Sequence, residues 1–115
     1  MKILERHING ALVLDVFEEN FVYPASNALK SYISKIFAEN EKIPLVLNLK
    51  NINRMDSFGL AVLISVYKLC QEYQVNLAFC GLTEQTAHLI ELTRMDRVMD
   101  IWDTEAQAIY QVCNS

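Results

Sequence analysis

Apolar residues recur along this chain with two different periods, and the switches between them divide it into elements. Ile3 to Ile8 and Ala11 to Phe17 read as strands joined by Asn9-Gly10. That dipeptide suits a two-residue hairpin, because both central turn residues need positive φ. Ala25, Ala28, Leu29, Tyr32, Ile33, Ile36 and Phe37 then follow the i, i+3, i+4 spacing of an amphipathic helix of about four turns. Lys30, Ser34 and Lys35 fall on its other side, and Pro24 is placed in its first turn, where a missing N–H is tolerated. The stripe reads as core. Leu45 to Leu49, flanked by Pro44 and polar residues, suits a strand buried on both faces.

A second helix is expected from Phe58 to Tyr73, with Leu60, Leu63, Ile64, Tyr67 and Cys70 on its apolar side. The strand Asn76 to Cys80 follows, closed by Gly81, and Thr83 can cap a helix ending near Thr93. Ile101 and Trp102 suggest a short edge strand. Thr104-Glu105-Ala106-Gln107 is a capping-box sequence opening a last helix that carries Ala108, Ile109 and Val112. The order is hairpin, helix, strand, helix, strand, helix, short strand, helix. Such alternation predicts an α/β fold: a mixed, mainly parallel β-sheet of four to five strands, with about four helices packed against it by right-handed crossovers. Residues 1–115 form one domain, since 115 residues leave no room for a second core.

Composition narrows the partners. The chain is 52% hydrophobic and 21% charged, which supports a packed interior and argues against disorder. A net charge of −4 and a pI near 5.1 exclude general nucleic-acid binding, because no basic run is present to neutralise phosphates. The sign suits a protein partner with a basic face. Cys70, Cys80 and Cys113 are far apart and odd in number, and His7 and His88 are isolated, so no metal or redox motif is expected. Free thiols in a reducing cytoplasm are the reading. Charges interrupt the N-terminal apolar run too early for a signal peptide, and no stretch reaches the roughly 20 apolar residues of a spanning helix.

Candidate chemistry concentrates at Met55-Asp56-Ser57-Phe58-Gly59-Leu60. A serine at a helix start sits among unpaired N–H groups and the positive end of the dipole, a setting that favours an anion. It can therefore carry a phosphate without melting its own helix. The plainer reading makes Asp56 or Ser57 only an N-cap. Lys50 to Ser57 also forms the loop at the carboxyl end of a parallel strand, the usual place for a site. Catalysis has little support. Only Gly10, Gly59 and Gly81 are present, too few for a nucleotide loop, and Ser57 lacks a Gly-x-Ser-x-Gly elbow with a nearby histidine. Glu18-Glu19 reads as a solvated face. No enzyme activity, cofactor or metal is expected.

Leu45-Val46-Leu47-Asn48-Leu49, then Asp56-Ser57-Phe58-Gly59-Leu60, then Val75-Asn76-Leu77-Ala78-Phe79-Cys80-Gly81-Leu82 and the helix-like Ala87 to Met95 resemble the STAS domain of sulfate transporters and anti-sigma-factor antagonists. The resemblance runs over residues 44 to 112. Three positions depart from it: Asn48 where an acid is frequent, Asn20-Phe21-Val22-Tyr23-Pro24 in place of a Gly-x-Leu-Asp-like stretch, and Arg94 where many members have glycine. With no spanning segment, the transporter-attached branch is not expected. The resemblance implies a cytoplasmic bacterial antagonist that binds an anti-sigma factor with serine-kinase activity. That kinase would phosphorylate Ser57 and break the complex, and a PP2C-type phosphatase would restore it. Arg54, Met55, Asp56, Ser57, Phe58 and Gly59 are the expected partner-binding residues. Within that set, Met55 and Phe58 are candidate apolar contacts or inward packers, and Arg54 with Lys50 are candidate partners for acids. Asp56 is expected to order the loop by accepting backbone N–H bonds. The alternatives are a non-catalytic subunit docking on the ATPase of a lipid-transport complex, and a module binding an anion or small molecule at the Ser57 helix start.

Overall fold

In the computed structural model, which describes residues 1–39 and 42–114, Asn9 and Gly10 have φ of 51° and 91°. The hairpin turn thus has the two positive-φ residues its sequence predicts. It joins β1 (Lys2–Ile8) to β2 (Ala11–Phe17), antiparallel from Lys2 opposite Phe17 to Ile8 opposite Ala11. The chain continues through β3 (Asn20–Phe21), α1 (Asn27–Ala38), β4 (Leu45–Asn48), β5 (Arg54–Met55) and α2 (Ser57–Glu72). Then come β6 (Leu77–Cys80), α3 (Glu84–Leu92), a 3₁₀ turn at Met95–Arg97, β7 (Ile101–Trp102) and α4 (Glu105–Cys113).

The main sheet has five strands in the order β1-β2-β4-β6-β7, and every pairing except β1–β2 is parallel. The central strand β4 is buried on both faces, which is why its sequence reads as an unbroken apolar run. Alternation along the strands splits the interior in two. Leu12, Leu14, Val16, Leu45, Leu47 and Phe79 pack with side chains of α1, α2 and α3. Ala11, Val13, Val46, Ala78 and Cys80 pack with Ala108, Ile109 and Val112 of α4. Three helices therefore cover one face, and α4 covers the other.

A polar network pins the start of α4. Arg6 donates to both carboxylate oxygens of the buried Asp15, at 2.7 and 2.9 Å, and its guanidinium also pairs with Glu105. Asn48 Nδ2 donates to Glu105 Oε1 at 3.0 Å. The hydrogen bonds from Arg6 hold the Glu105 carboxyl below the usual carboxylate range, against the opposing effect of burial. The near-complete burial of Asp15 and Asn48 is thereby compensated, as buried polar groups require.

The mixed, mainly parallel sheet and the four helices match the sequence expectation, as does the capping box. Thr104 Oγ1 accepts from Gln107 N–H, and the Gln107 side chain accepts from Thr104 N–H. Several details differ. Pro24 does not begin α1: the turn after it brings Ser26 to the N-cap position, and Ala25 and Ala28 are exposed. The buried side of α1 narrows to Leu29, Ile33 and Phe37. On α2 the buried side is rotated toward Val62 and Val66, leaving Ile64 and Tyr67 only half-buried. Both valines were readable as helical, but the helix packs against α1 as well as into the core on the sheet, so its apolar arc is broader than one stripe.

Arg94 follows α3 with φ of 62°, a left-handed conformation that favours glycine. Its departure from the glycine common in STAS-like sequences thus carries a conformational cost. Arg94→Gly is expected to raise stability by about 0.5–1 kcal/mol, the relief of left-handed strain less the added freedom of the unfolded chain. Denaturant unfolding checks this through a higher midpoint at unchanged slope.

Candidate functional site

The loop between β4 and α2 is tied down by hydrogen bonds from three directions. From the sheet, Asn48 Oδ1 accepts from Lys50 N–H at 3.1 Å. From the loop after β2, the Glu19 carbonyl accepts from Asn53 N–H at 2.9 Å and from Arg54 N–H at 3.0 Å. β5 then pairs in parallel with β3, Asn20 with Arg54 and Phe21 with Met55. From the α3 side, Thr83 Oγ1 donates to the Ile52 carbonyl at 2.9 Å. The Gln85 amide closes a two-way clamp on Met55, accepting from its N–H at 2.9 Å and donating to its carbonyl at 3.2 Å. These bonds from separate elements hold the segment leading to Ser57 in place.

At the end of that loop Asp56 is the N-cap of α2, with extended φ and ψ of −102° and −178°. Its Oδ1 accepts from Gly59 N–H at 2.7 Å, and its Oδ2 accepts from Tyr23 N–H at 3.3 Å. Asp56 orders the serine loop in the way its position implied. Ser57 is the first helical residue and is exposed. The first intrahelical bond runs from Leu60 N–H to the Asp56 carbonyl. The N–H groups of Ser57 and Phe58 precede it and belong to the orphan donors of a helix start. Capping and exposure thus fall to two successive residues.

The other expected contacts divide. Phe58 points outward at 60% exposed and meets Tyr23, with ring centroids 5.5 Å apart and planes at 49°. Arg54 and Lys50 are exposed beside the loop. Met55 is only 4% exposed, so the expectation of an exposed apolar contact there is corrected: its place in β5 turns the side chain into the core. Gly59 is buried for a steric reason. A Cβ built there would lie 2.1 Å from the Phe21 carbonyl oxygen, so α2 reaches β3 only without a side chain at this position. Tyr23 and Gln85 escaped sequence reasoning. Both come from distant segments, and neither carries a local signal that links it to Ser57.

The thiols stand apart from this site. Cys70 and Cys80 are buried and Cys113 is exposed, all free. Burial pushes the Cys70 thiol up to about 12 and the Cys80 thiol up to about 11, which keeps both protonated and unreactive near neutral pH. Among the described residues no helix is long and apolar enough to cross a membrane.

A family model described as the STAS domain matches residues 2–108. The chain belongs to the STAS-domain family. It is 25% identical over 112 residues to an anti-sigma F factor antagonist of Paenibacillus polymyxa, covering 97% of this chain and 95% of that protein. Among solved structures, a putative anti-sigma factor antagonist of Thermotoga maritima superposes with a TM-score of 0.82 at 18% identity, covering 97% and 95% of the two chains. The anti-sigma factor antagonist SpoIIAA in its unphosphorylated form superposes with a TM-score of 0.75 at 14% identity, covering 99% and 98%. These two likenesses establish the STAS fold over nearly the whole chain.

Within the STAS motif of this chain, each letter now has a physical job. Asp56 caps, Gly59 lets α2 approach β3, and Leu60 enters the core. Ser57 and Phe58 are the two positions left to face solvent.

Proposed function

We propose that this STAS-domain protein is an anti-sigma-factor antagonist that works by partner switching. Unmodified, it binds an anti-sigma factor with serine-kinase activity and so releases the sigma factor. The kinase then transfers the γ-phosphoryl of ATP to Ser57 Oγ: the new O–P bond replaces the bond to ADP, and the hydroxyl proton passes to the kinase's base. Phosphorylation ends the complex, and a PP2C-type phosphatase hydrolyses the phosphoserine to restore it. The chain itself performs no catalysis in this scheme and works in the cytoplasm, where the kinase finds ATP.

The observation that carries the reading is the placement of Ser57. It is exposed, it opens α2, and the cap of that helix is supplied by its neighbour Asp56. A phosphate brings about −1.5 to −2 charges and three acceptor oxygens, which the helix dipole and the orphan N–H groups favour. Asp56 opposes them at short range. Neither effect approaches the 5–15 kcal/mol that holds a typical domain folded. The modification therefore acts on what covers Ser57.

The direct test is incubation with the anti-sigma factor kinase and labelled ATP. Label is expected at Ser57 and is expected to vanish in Ser57→Ala. Ser26, the other serine near a helix start, is fully buried and closed to a kinase in the folded chain. Full labelling of Ser57→Ala would move the switch elsewhere. Stable co-purification with a transporter ATPase, in place of an anti-sigma factor, would favour a docking subunit.

A further inference from the structure

Tyr23 and Phe58 form an aromatic pair that nothing in the domain's own packing requires. They are 61% and 60% exposed, yet they lie in contact beside the one motif hydroxyl that faces solvent. The pair is also held in place. Phe58 sits on the first turn of α2, and the Tyr23 backbone is fixed by its N–H bond to Asp56 Oδ2. Large aromatic side chains with few rotatable bonds bury much area at small entropic cost, which is why interface hot spots are enriched in them.

We propose that the Tyr23–Phe58 pair is the partner-selecting anchor of the Ser57 face, received by an apolar recess of the anti-sigma factor beside its kinase cleft. This rests on the reading of Ser57 as the phosphoacceptor. The occupant follows from covalent geometry. A kinase must bring its phosphoryl group to within about 3–3.5 Å of the serine oxygen before transfer. Phe58 is the next residue on the same helical turn, so a cleft that reaches Ser57 also meets Phe58 and the tilted Tyr23 ring in contact with it. Covered aromatic surface adds affinity only against apolar surface, because polar groups facing it would be desolvated without partners.

The pair is suited to selection as well as to affinity. Asp56, Gly59 and Leu60 cannot change without loss of the cap, the β3 contact or the core. Ser57 cannot change without loss of the acceptor. Phe58 and Tyr23 are free of these duties. They can tune which anti-sigma factor fits while the fold and the acceptor stay the same.

The experiment uses the whole chain and the purified anti-sigma factor kinase that phosphorylates it, with Tyr23→Ala, Phe58→Ala, Tyr23→Phe and Phe58→Tyr. Calorimetric titration is expected to show each alanine variant weakened by about thirtyfold or more, the effect of losing a hot spot. The initial rate of Ser57 phosphorylation should fall through a raised KM with kcat little changed, since the acceptor itself is intact. Tyr23→Phe and Phe58→Tyr should stay within about threefold of wild type. Thermal midpoints of all four variants should match wild type, because both rings are exposed. Binding of Phe58→Ala and Tyr23→Ala within about threefold of wild type, with Ser57 still phosphorylated, overturns the anchor and leaves the phosphoacceptor reading standing. If the kinase leaves wild-type Ser57 unmodified, that reading fails and the anchor falls with it.

Discussion

Leu47→Asp is expected to leave the chain without a cooperative thermal transition at neutral pH. Leu47 is fully buried in β4, the middle strand of five, where it sits opposite Leu14 of β2 and Phe79 of β6. Two losses add. Removing the leucine side chain alone costs about 2–5 kcal/mol, as large-to-small changes in cores do. The new carboxylate then sits in an apolar cluster with no cation beside it, and either stays charged at a heavy desolvation cost or takes up a proton with a raised pKa. Together these exceed about 4–5 kcal/mol, most or all of the stability of a typical domain. Leu47→Ala provides the graded control and should still melt cooperatively. Circular dichroism on heating checks both, and a wild-type melt for Leu47→Asp would show that β4 is not the central strand.

Ser57→Asp should produce the opposite split between stability and binding. The circular dichroism spectrum and melting temperature are expected to stay near wild type, because position 57 is exposed and a helix N-terminus accepts negative charge. Affinity for the anti-sigma factor should fall by more than about a hundredfold if the partner must desolvate the charge at a cost near 3 kcal/mol. Ser57→Ala should bind at least as tightly as wild type and resist release by ATP. Aspartate carries one charge and fewer acceptor oxygens than phosphate, so the phosphorylated chain should bind more weakly still. Phosphorylated protein that binds as tightly as unmodified protein would rule out the switch with the fold untouched.

Long periodic segments were legible in the sequence, and of the two-residue strands only β7 was, as the edge strand Ile101–Trp102. The hairpin could be read because Asn9-Gly10 is a local chemical signal. α2 and α4 could be read because periodicity and caps agree within a few residues of each other; α3 does begin after Thr83, but the Thr83 hydroxyl makes no capping bond and donates to the Ile52 carbonyl. β3 and β5 could not, since each pairs only with the other, and that pairing joins positions 20–21 to 54–55. For the same reason Met55 was readable as apolar, whereas its inward direction was not. At the site, Asp56, Ser57 and Gly59 were visible as letters of a motif. Gly59's reason for being glycine lies in the carbonyl of Phe21, thirty-eight positions away in sequence. Tyr23 was hidden for a similar reason: its tie to Asp56 and its ring contact with Phe58 exist only after folding.

The separation of the helix cap from the modifiable hydroxyl bears on how long the protein lasts in the cell. Had Ser57 been the cap itself, its hydroxyl would already be engaged by the N–H group it capped, and modification would have to break that bond. With Asp56 holding Gly59 N–H, the cap does not depend on the Ser57 hydroxyl, and a chain phosphorylated there under the proposed switch would keep it. Under the proposed switch such molecules would form a standing reserve. A cell that met a stimulus would then mobilise copies already made by dephosphorylation alone, its response time set by an enzyme's turnover instead of by ribosomes.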